Sequence, residues 1–198
     1  MGSRWTQAKM IEVASEERAD LGLGPDDRLN PYALASLHAI PVYPIDELDD
    51  EVRAVVAIKR FTTTGQSLWS AALIPVGNGR LIIENTAHLA VRRMSSIAHE
   101  LAHHLLEHSF DEILLNAEKK CRQFDRVKEG EAQFLSGELL IPRKAARKAA
   151  FAGGTNEDVA ERFGVSTQFA QMQMAGPRKF AERALAKQAA ARRALKAL

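Results

Sequence analysis

Residues 97 to 105 read Ile97-Ala98-His99-Glu100-Leu101-Ala102-His103-His104-Leu105. The apolar positions Ile97, Ala98, Leu101, Ala102 and Leu105 repeat with the spacing of a helix that buries one face. Such a helix belongs in a core, and the rest of the chain must be arranged around it. Within it, His99 and His103 are four residues apart, so both rings project from one face about a turn apart and can reach a single Zn²⁺ at about 2.0–2.1 Å. Glu100, one position beyond His99, can face a water beside the ion as a general base. Random placement of this composition produces H-E-x-x-H roughly 0.01 times per chain, so a solvated His and Glu pair is the weaker reading.

A catalytic zinc keeps three protein ligands and leaves one position open, so a third donor has to come from beyond His103. Glu107, Glu112, Glu118, Glu129, Glu131 and Glu138 all have suitable chemistry. Glu107 is on the motif's own helix, which cannot easily bend a third arm back to the ion. Glu129 and Glu131 fall on the next substantial helix, whose Ala132, Leu135 and Leu139 face the core. Glu129 shares a stripe with Ala132 and Ser136, short side chains that permit close helix approach. A first-turn glutamate is also favoured there by the helix dipole alone, and Glu131 remains the alternative. Imidazole and carboxylate donors accept Mn²⁺, Fe²⁺ or Co²⁺ as well as Zn²⁺. His104 and His108 prolong the motif as surface residues or as supports of the ligands. His88 precedes it as a capping or solvated residue, with an oxyanion donor as the lesser role.

Elsewhere the hydrophobic period changes. Trp5, Ala8, Ile11 and Ala14 predict a helix over residues 4–18, ended by Gly22-Leu23-Gly24-Pro25. Asn30-Pro31 starts a short helix with Leu34, Leu37 and His38 inward. Residues 41–43, Val55-Val56-Ala57-Ile58, Leu73-Ile74-Pro75-Val76 and Leu81-Ile82-Ile83 read as strands, the last two joined in a hairpin-like way by Gly77-Asn78-Gly79. Helices are predicted near 88–108, 111–119, 126–137, 143–151, 156–163, 166–175 and 178–197. The order helix, sheet, helices gives an α+β class, a small mainly antiparallel sheet packed on a helical core with additional C-terminal helices.

Asp158 to Ser166 looks like the first half of a helix-turn-helix, but Thr167-Gln168-Phe169-Ala170-Gln171-Met172 brings no positive charge to hold phosphate. Packing, or a Met-containing docking surface, is the better reading. After Gly176-Pro177 the tail holds seven basic side chains, Arg178, Lys179, Arg183, Lys187, Arg192, Arg193 and Lys196, against Glu182. A solvated helix is its plainest reading; nucleic acid or an acidic partner is the rival. The whole chain of 198 residues has a net charge of only +2, so any pull on polyanions is local. Its one cysteine, Cys121, excludes an internal disulfide and a four-cysteine zinc site. No apolar run spans a bilayer and the N-terminal stretch lacks a signal peptide's apolar centre, so a cytoplasmic protein without membrane contact is expected.

His99-Glu100-x-x-His103, followed by Glu129-Gly130-Glu131-Ala132 and Glu138-Leu139-Leu140-Ile141-Pro142, resembles the ImmA/IrrE family of metallo-endopeptidases. Asn30 to Ala35, Asn85 and Arg92-Arg93 are also similar, and the resemblance covers roughly residues 30 to 165. The chain divides into a metallopeptidase core over residues 1–142, with a zincin-like fold, a helix-turn-helix-like helical segment over 143–176 and a basic Ala-rich helical tail over 177–198. The resemblance implies one zinc ion on His99, His103 and Glu129, with Glu100 as the catalytic base. Gln133, Leu135 and Gly130 depart from the family's ligand-helix pattern and leave Glu131 in contention. The implied substrate is a helix-turn-helix transcriptional repressor, encoded here as a separate protein and cleaved in a stress or mobile-element response. The rival from another class is a non-catalytic regulator whose metal orders its helices while the tail or Met surface binds DNA or protein.

Overall fold

Thr6 starts the first helix by accepting the Lys9 N–H on its side chain, and α1 runs Gln7–Asp20. The computed structural model describes residues 5–48, 58–59, 62–63, 69–108 and 126–196. The inward stripe of α1 is Met10, Ala14 and Arg18, while Ala8 is exposed. The helix is rotated from its apolar pattern because Arg18 is buried for its hydrogen bonds. Its guanidinium donates to the carbonyls of Leu139, Gly24 and Asp27, tying the end of a distant helix to the loop after α1. Burial lowers the Arg18 pKa and Asp27 partly opposes that shift. Arg18→Met keeps the packing of the stem but leaves those carbonyls without their donor. It is expected to lower unfolding free energy by about 2–4 kcal/mol, read as a fall in the urea midpoint at unchanged m.

Asn30 caps α2 (Pro31–Leu37) by accepting the Tyr32 N–H. Leu34 and Ala35 face inward, whereas Leu37 is exposed, contrary to the reading of its spacing. Leu37 is the last residue of the helix, which His38 caps before the chain turns at Ala39 with a φ of 53°. Strands β1 (Val42–Pro44), β2 (Ala71–Val76) and β3 (Gly79–Glu84) form a sheet in the order β1-β3-β2. β3 is parallel to β1, with Val42 beside Ile82, and antiparallel to β2, with Leu73 beside Ile82. Gly77 has φ +56° at the first central position of the two-residue loop, where a hairpin of this kind needs a residue free to be left-handed. The sheet is therefore mixed, its longer ladder antiparallel. Ile58 and Thr62 are helical, and Thr63 donates to the Lys59 carbonyl, so no strand continues through Ile58. Val55, Val56 and Ala57 lie outside the described residues, as do the helix predicted over 111–119, Glu112, Glu118 and Cys121.

Helix α3 (Ala90–Leu105) and helix α4 (Arg126–Leu140) pack against each other at the centre, with the sheet on α3 and α1 on α4. Ile97, Ala98, Leu101 and Ala102 meet a core that includes Ala132, Leu135 and Leu139, all at 0% exposure. Each large side chain so buried contributes about 1.5–3 kcal/mol. Pro142 stops α4, and α5 (Arg143–Phe151) and α6 (Asn156–Phe163) follow, α6 opened by a Thr155–Asp158 capping box. Gly164 closes α6 at φ +66°, where a side chain would strike the Arg28 guanidinium. Helix α7 (Thr167–Lys196) then runs unbroken through Pro177, replacing the two helices its Gly-Pro pair predicts. Proline in a helix costs about 3 kcal/mol, but Ala170 and Met174 before it and Ala181 after it are all buried, so both halves are held by packing. The helices α1 to α7 and one three-stranded sheet among the described residues, with further helical residues at Ile58 and Thr62, make the fold α+β.

Candidate metal centre

Helix α3 projects His99 and His103 from consecutive turns, with ring centroids 4.8 Å apart in an edge-on arrangement. The first turn of α4 brings Glu129 against them. His99 Nε2 is 3.1 Å from His103 Nε2 and 3.2 Å from Glu129 Oε2, and His103 Nε2 is 3.5 Å from Glu129 Oε1. Bonds of about 2.0–2.1 Å at a tetrahedral angle separate two donor atoms by about 3.3 Å. Glu129 meets the two imidazoles with different oxygens; taking one atom from each residue, the three donors lie within 4.8 Å of one another, close enough to gather on one divalent cation. Among the described residues, these three form the group able to hold one. The His99 and Glu129 side chains remain 28% and 22% exposed and His103 10%, so solvent reaches the cluster from the His99 and Glu129 side.

Glu131 turns away from this cluster. Its Oε2 is 3.2 Å from His108 Nε2 and its Oε1 accepts the backbone N–H of Trp5 at 3.0 Å. His108 Nδ1 in turn lies 2.9 Å from His103 Nδ1. His108 returns to His103 because α3 ends in a left-handed residue, Glu107 at φ 51°. The Glu107 N–H donates to the His104 carbonyl and the His108 N–H to the His103 carbonyl, the paired bonds of a Schellman cap. The partnership of His108 with Glu131 has no signature in the sequence, since it joins residues across two helices. Its one local hint is a histidine five residues past His103, too far to share its face in a continuing helix.

Glu100 is 6% exposed, and its Oε2 accepts the Leu73 N–H from β2 at 3.0 Å. The edge of the sheet thus fixes one oxygen of the carboxylate beside His99, an anchor that spacing along α3 does not reveal. His88 is 3.1 Å from the Trp69 carbonyl and 3.2 Å from Ser70 Oγ, a structural fastening of the turn before α3. Glu138 lies elsewhere on α4, accepting the Arg143 N–H at 2.8 Å. Burial raises its pKa, and Arg143 opposes the shift.

His104 faces away from the cluster, with Nδ1 2.8 Å from Arg80 Nη1 and its ring edge-on to His38 at 5.3 Å. Burial lowers its pKa to about 4, with the charges of Arg80 and His38 acting in the same direction. The unfolded chain therefore takes up this proton near pH 6.5, before the folded one does. Stability is complete above about pH 6.5 and falls as the pH drops toward 4. Thermal melts of the metal-free protein across this window should show a shallower loss in His104→Gln than in the parent.

The residues matched by the family model described as the IrrE N-terminal-like domain, of the peptidase M78 family, are 54–174. They contain β2, β3, α3, α4 and the whole His99, His103 and Glu129 cluster. No curated protein matches the chain significantly. No helix among the described residues is long and apolar enough to cross a membrane. An H-E-x-x-H helix, a carboxylate brought to it by the following helix and a family match over most of the chain agree in one assignment: the protein belongs to the IrrE N-terminal-like metallopeptidase family, which implies a divalent metal and a protein substrate.

Proposed function

We propose that the protein is a zinc-dependent endopeptidase that hydrolyses a peptide bond in a specific intracellular protein. The observation that carries this reading is the three-donor cluster, gathered closely enough to share one ion and partly open to solvent. His99, His103 and Glu129 would hold the ion. When bound, it supplies Lewis acidity toward a carbonyl and makes nearby water more acidic. Glu100 accepts the proton released as water attacks the carbonyl carbon and delivers it to the amide nitrogen as the C–N bond breaks. The Leu73 N–H holds Glu100 in place for both transfers. β2 is an end strand among the described residues, and an end strand offers backbone groups along which an extended peptide can lie. The resemblance of the two ligand helices supports a helix-turn-helix repressor as the substrate, cleaved in a stress or mobile-element response. A non-catalytic regulator would instead call for a fourth protein donor closing the site.

The test is to add Zn²⁺-loaded protein to an extract of its own cells and label new protein N-termini for mass spectrometry. New termini concentrated in one repressor, absent with Glu100→Gln, support the proposal. An extract in which the parent and Glu100→Gln give the same termini refutes it.

A further inference from the structure

Behind the ligand cluster, away from solvent, runs a string of buried polar groups that peptide hydrolysis does not itself use. His108 and Glu131 are 6% and 8% exposed, yet each reaches the other and, through His108, a ligand histidine. Trp5 fastens the Glu131 end of the string to the end of α3: its backbone N–H donates to Glu131 and its indole N–H to the Leu106 carbonyl, at 3.0 Å each. The donors and acceptors can be assigned in one consistent way. His103 must offer the Nε2 lone pair to the ion, so its proton sits on Nδ1 and is donated to His108 Nδ1. His108 then carries its own proton on Nε2 and donates it to the Glu131 carboxylate. Glu131 Oε1 remains to accept from Trp5.

We propose that His108 and Glu131 are positioning residues that fix the tautomer and aim of His103, and that the N-terminal segment, through Trp5, secures them. The proposal rests on the reading of His99, His103 and Glu129 as metal ligands. A carboxylate at the end of a histidine pair increases the electron density at the distal nitrogen and prevents ring rotation, so the ion binds more tightly. The backbone at Glu107 agrees with such a role. A non-glycine residue held left-handed is strained, and what this turn achieves is to return His108 to His103.

Zn²⁺ affinity of the full chain, stripped of metal, can be measured by competition with a chromophoric chelator, and the ligand field by the visible absorption of bound Co²⁺. Glu131→Gln and His108→Ala are each expected to weaken Zn²⁺ binding about 10–100-fold and to shift the Co²⁺ bands. The double variant should be no weaker than the poorer single one, because either change interrupts the same string. Glu138→Gln, a change at a buried carboxylate of the same helix that faces Arg143, should leave both readouts unaltered. If His108→Ala does not fold, the isosteric Glu131→Gln decides the matter. Folded variants that bind Zn²⁺ within about threefold of the parent overturn the positioning role while leaving the metal centre intact. A parent protein that binds neither ion overturns the metal centre and this proposal together.

Discussion

Glu100→Gln is expected to lower peptide hydrolysis about 10²–10⁴-fold while Zn²⁺ affinity stays within about threefold. The two halves of that result have separate causes. Glutamine has the shape of glutamate, and its amide oxygen can still accept the Leu73 N–H that holds Glu100 Oε2 at 3.0 Å, so α3 and its two histidines stay where they are. What glutamine cannot do near neutral pH is take a proton from water and pass it to a leaving nitrogen. The expected rate loss corresponds to about 3–5.5 kcal/mol of barrier, far more than a neutral hydrogen bond contributes. A packing defect could not produce it without also moving the metal affinity. Single-turnover cleavage of the protein whose termini appear in the labelling experiment measures the first quantity, and chelator competition the second. Retention of more than about a tenth of the parent rate would remove Glu100 from the proton transfer.

What could be read from the residues alone divides along a physical line. His99, Glu100 and His103 belong to one helix, so their relative placement follows from 3.6 residues per turn and needs no knowledge of the fold. The limits of α5 and α6 were legible for the same reason, since Pro142, Thr155 and Gly164 act on their immediate neighbours. Glu129 and Glu131 could not be separated in this way. They are two residues apart and face different sides of α4, so the choice depends on how α4 is rotated against α3, which is set by the burial of Ala132, Leu135 and Ser136. Local rules failed where distant contacts outweighed them. Gly176-Pro177 marks a helix end on its own, but α7 continues because buried residues on both sides hold it. The apolar spacing of α1 found Ala14 on the buried face and put Ala8, which is exposed, in its stripe; it could not show that Arg18 shares the buried face to reach three carbonyls.

The separation of Glu129 from Glu131 leads to the second large effect. Glu129→Ala should weaken Zn²⁺ binding by about 10²–10³-fold, the share of one ligand when about 10–16 kcal/mol of apparent binding free energy is spread over four positions. Glu131→Ala should lie an order of magnitude below that, since Glu131 acts only through His108 and His103. Stability should run in the opposite order. Glu129 is a first-turn residue with a 22% exposed side chain, and removing its favourable place near the helix dipole costs only about 0.3–1 kcal/mol. Glu131 is 8% exposed and accepts the Trp5 N–H, so its loss leaves buried donors without partners, at about 1–3 kcal/mol each. Measuring both quantities on both variants therefore gives a crossed result, with Glu129→Ala losing the metal but little stability and Glu131→Ala losing more stability but less metal. A single general softening of α4 would lower the two together, and exchange of the two residues' roles would invert the affinity order. Only ligation by Glu129, with Glu131 supporting from behind, produces the crossing.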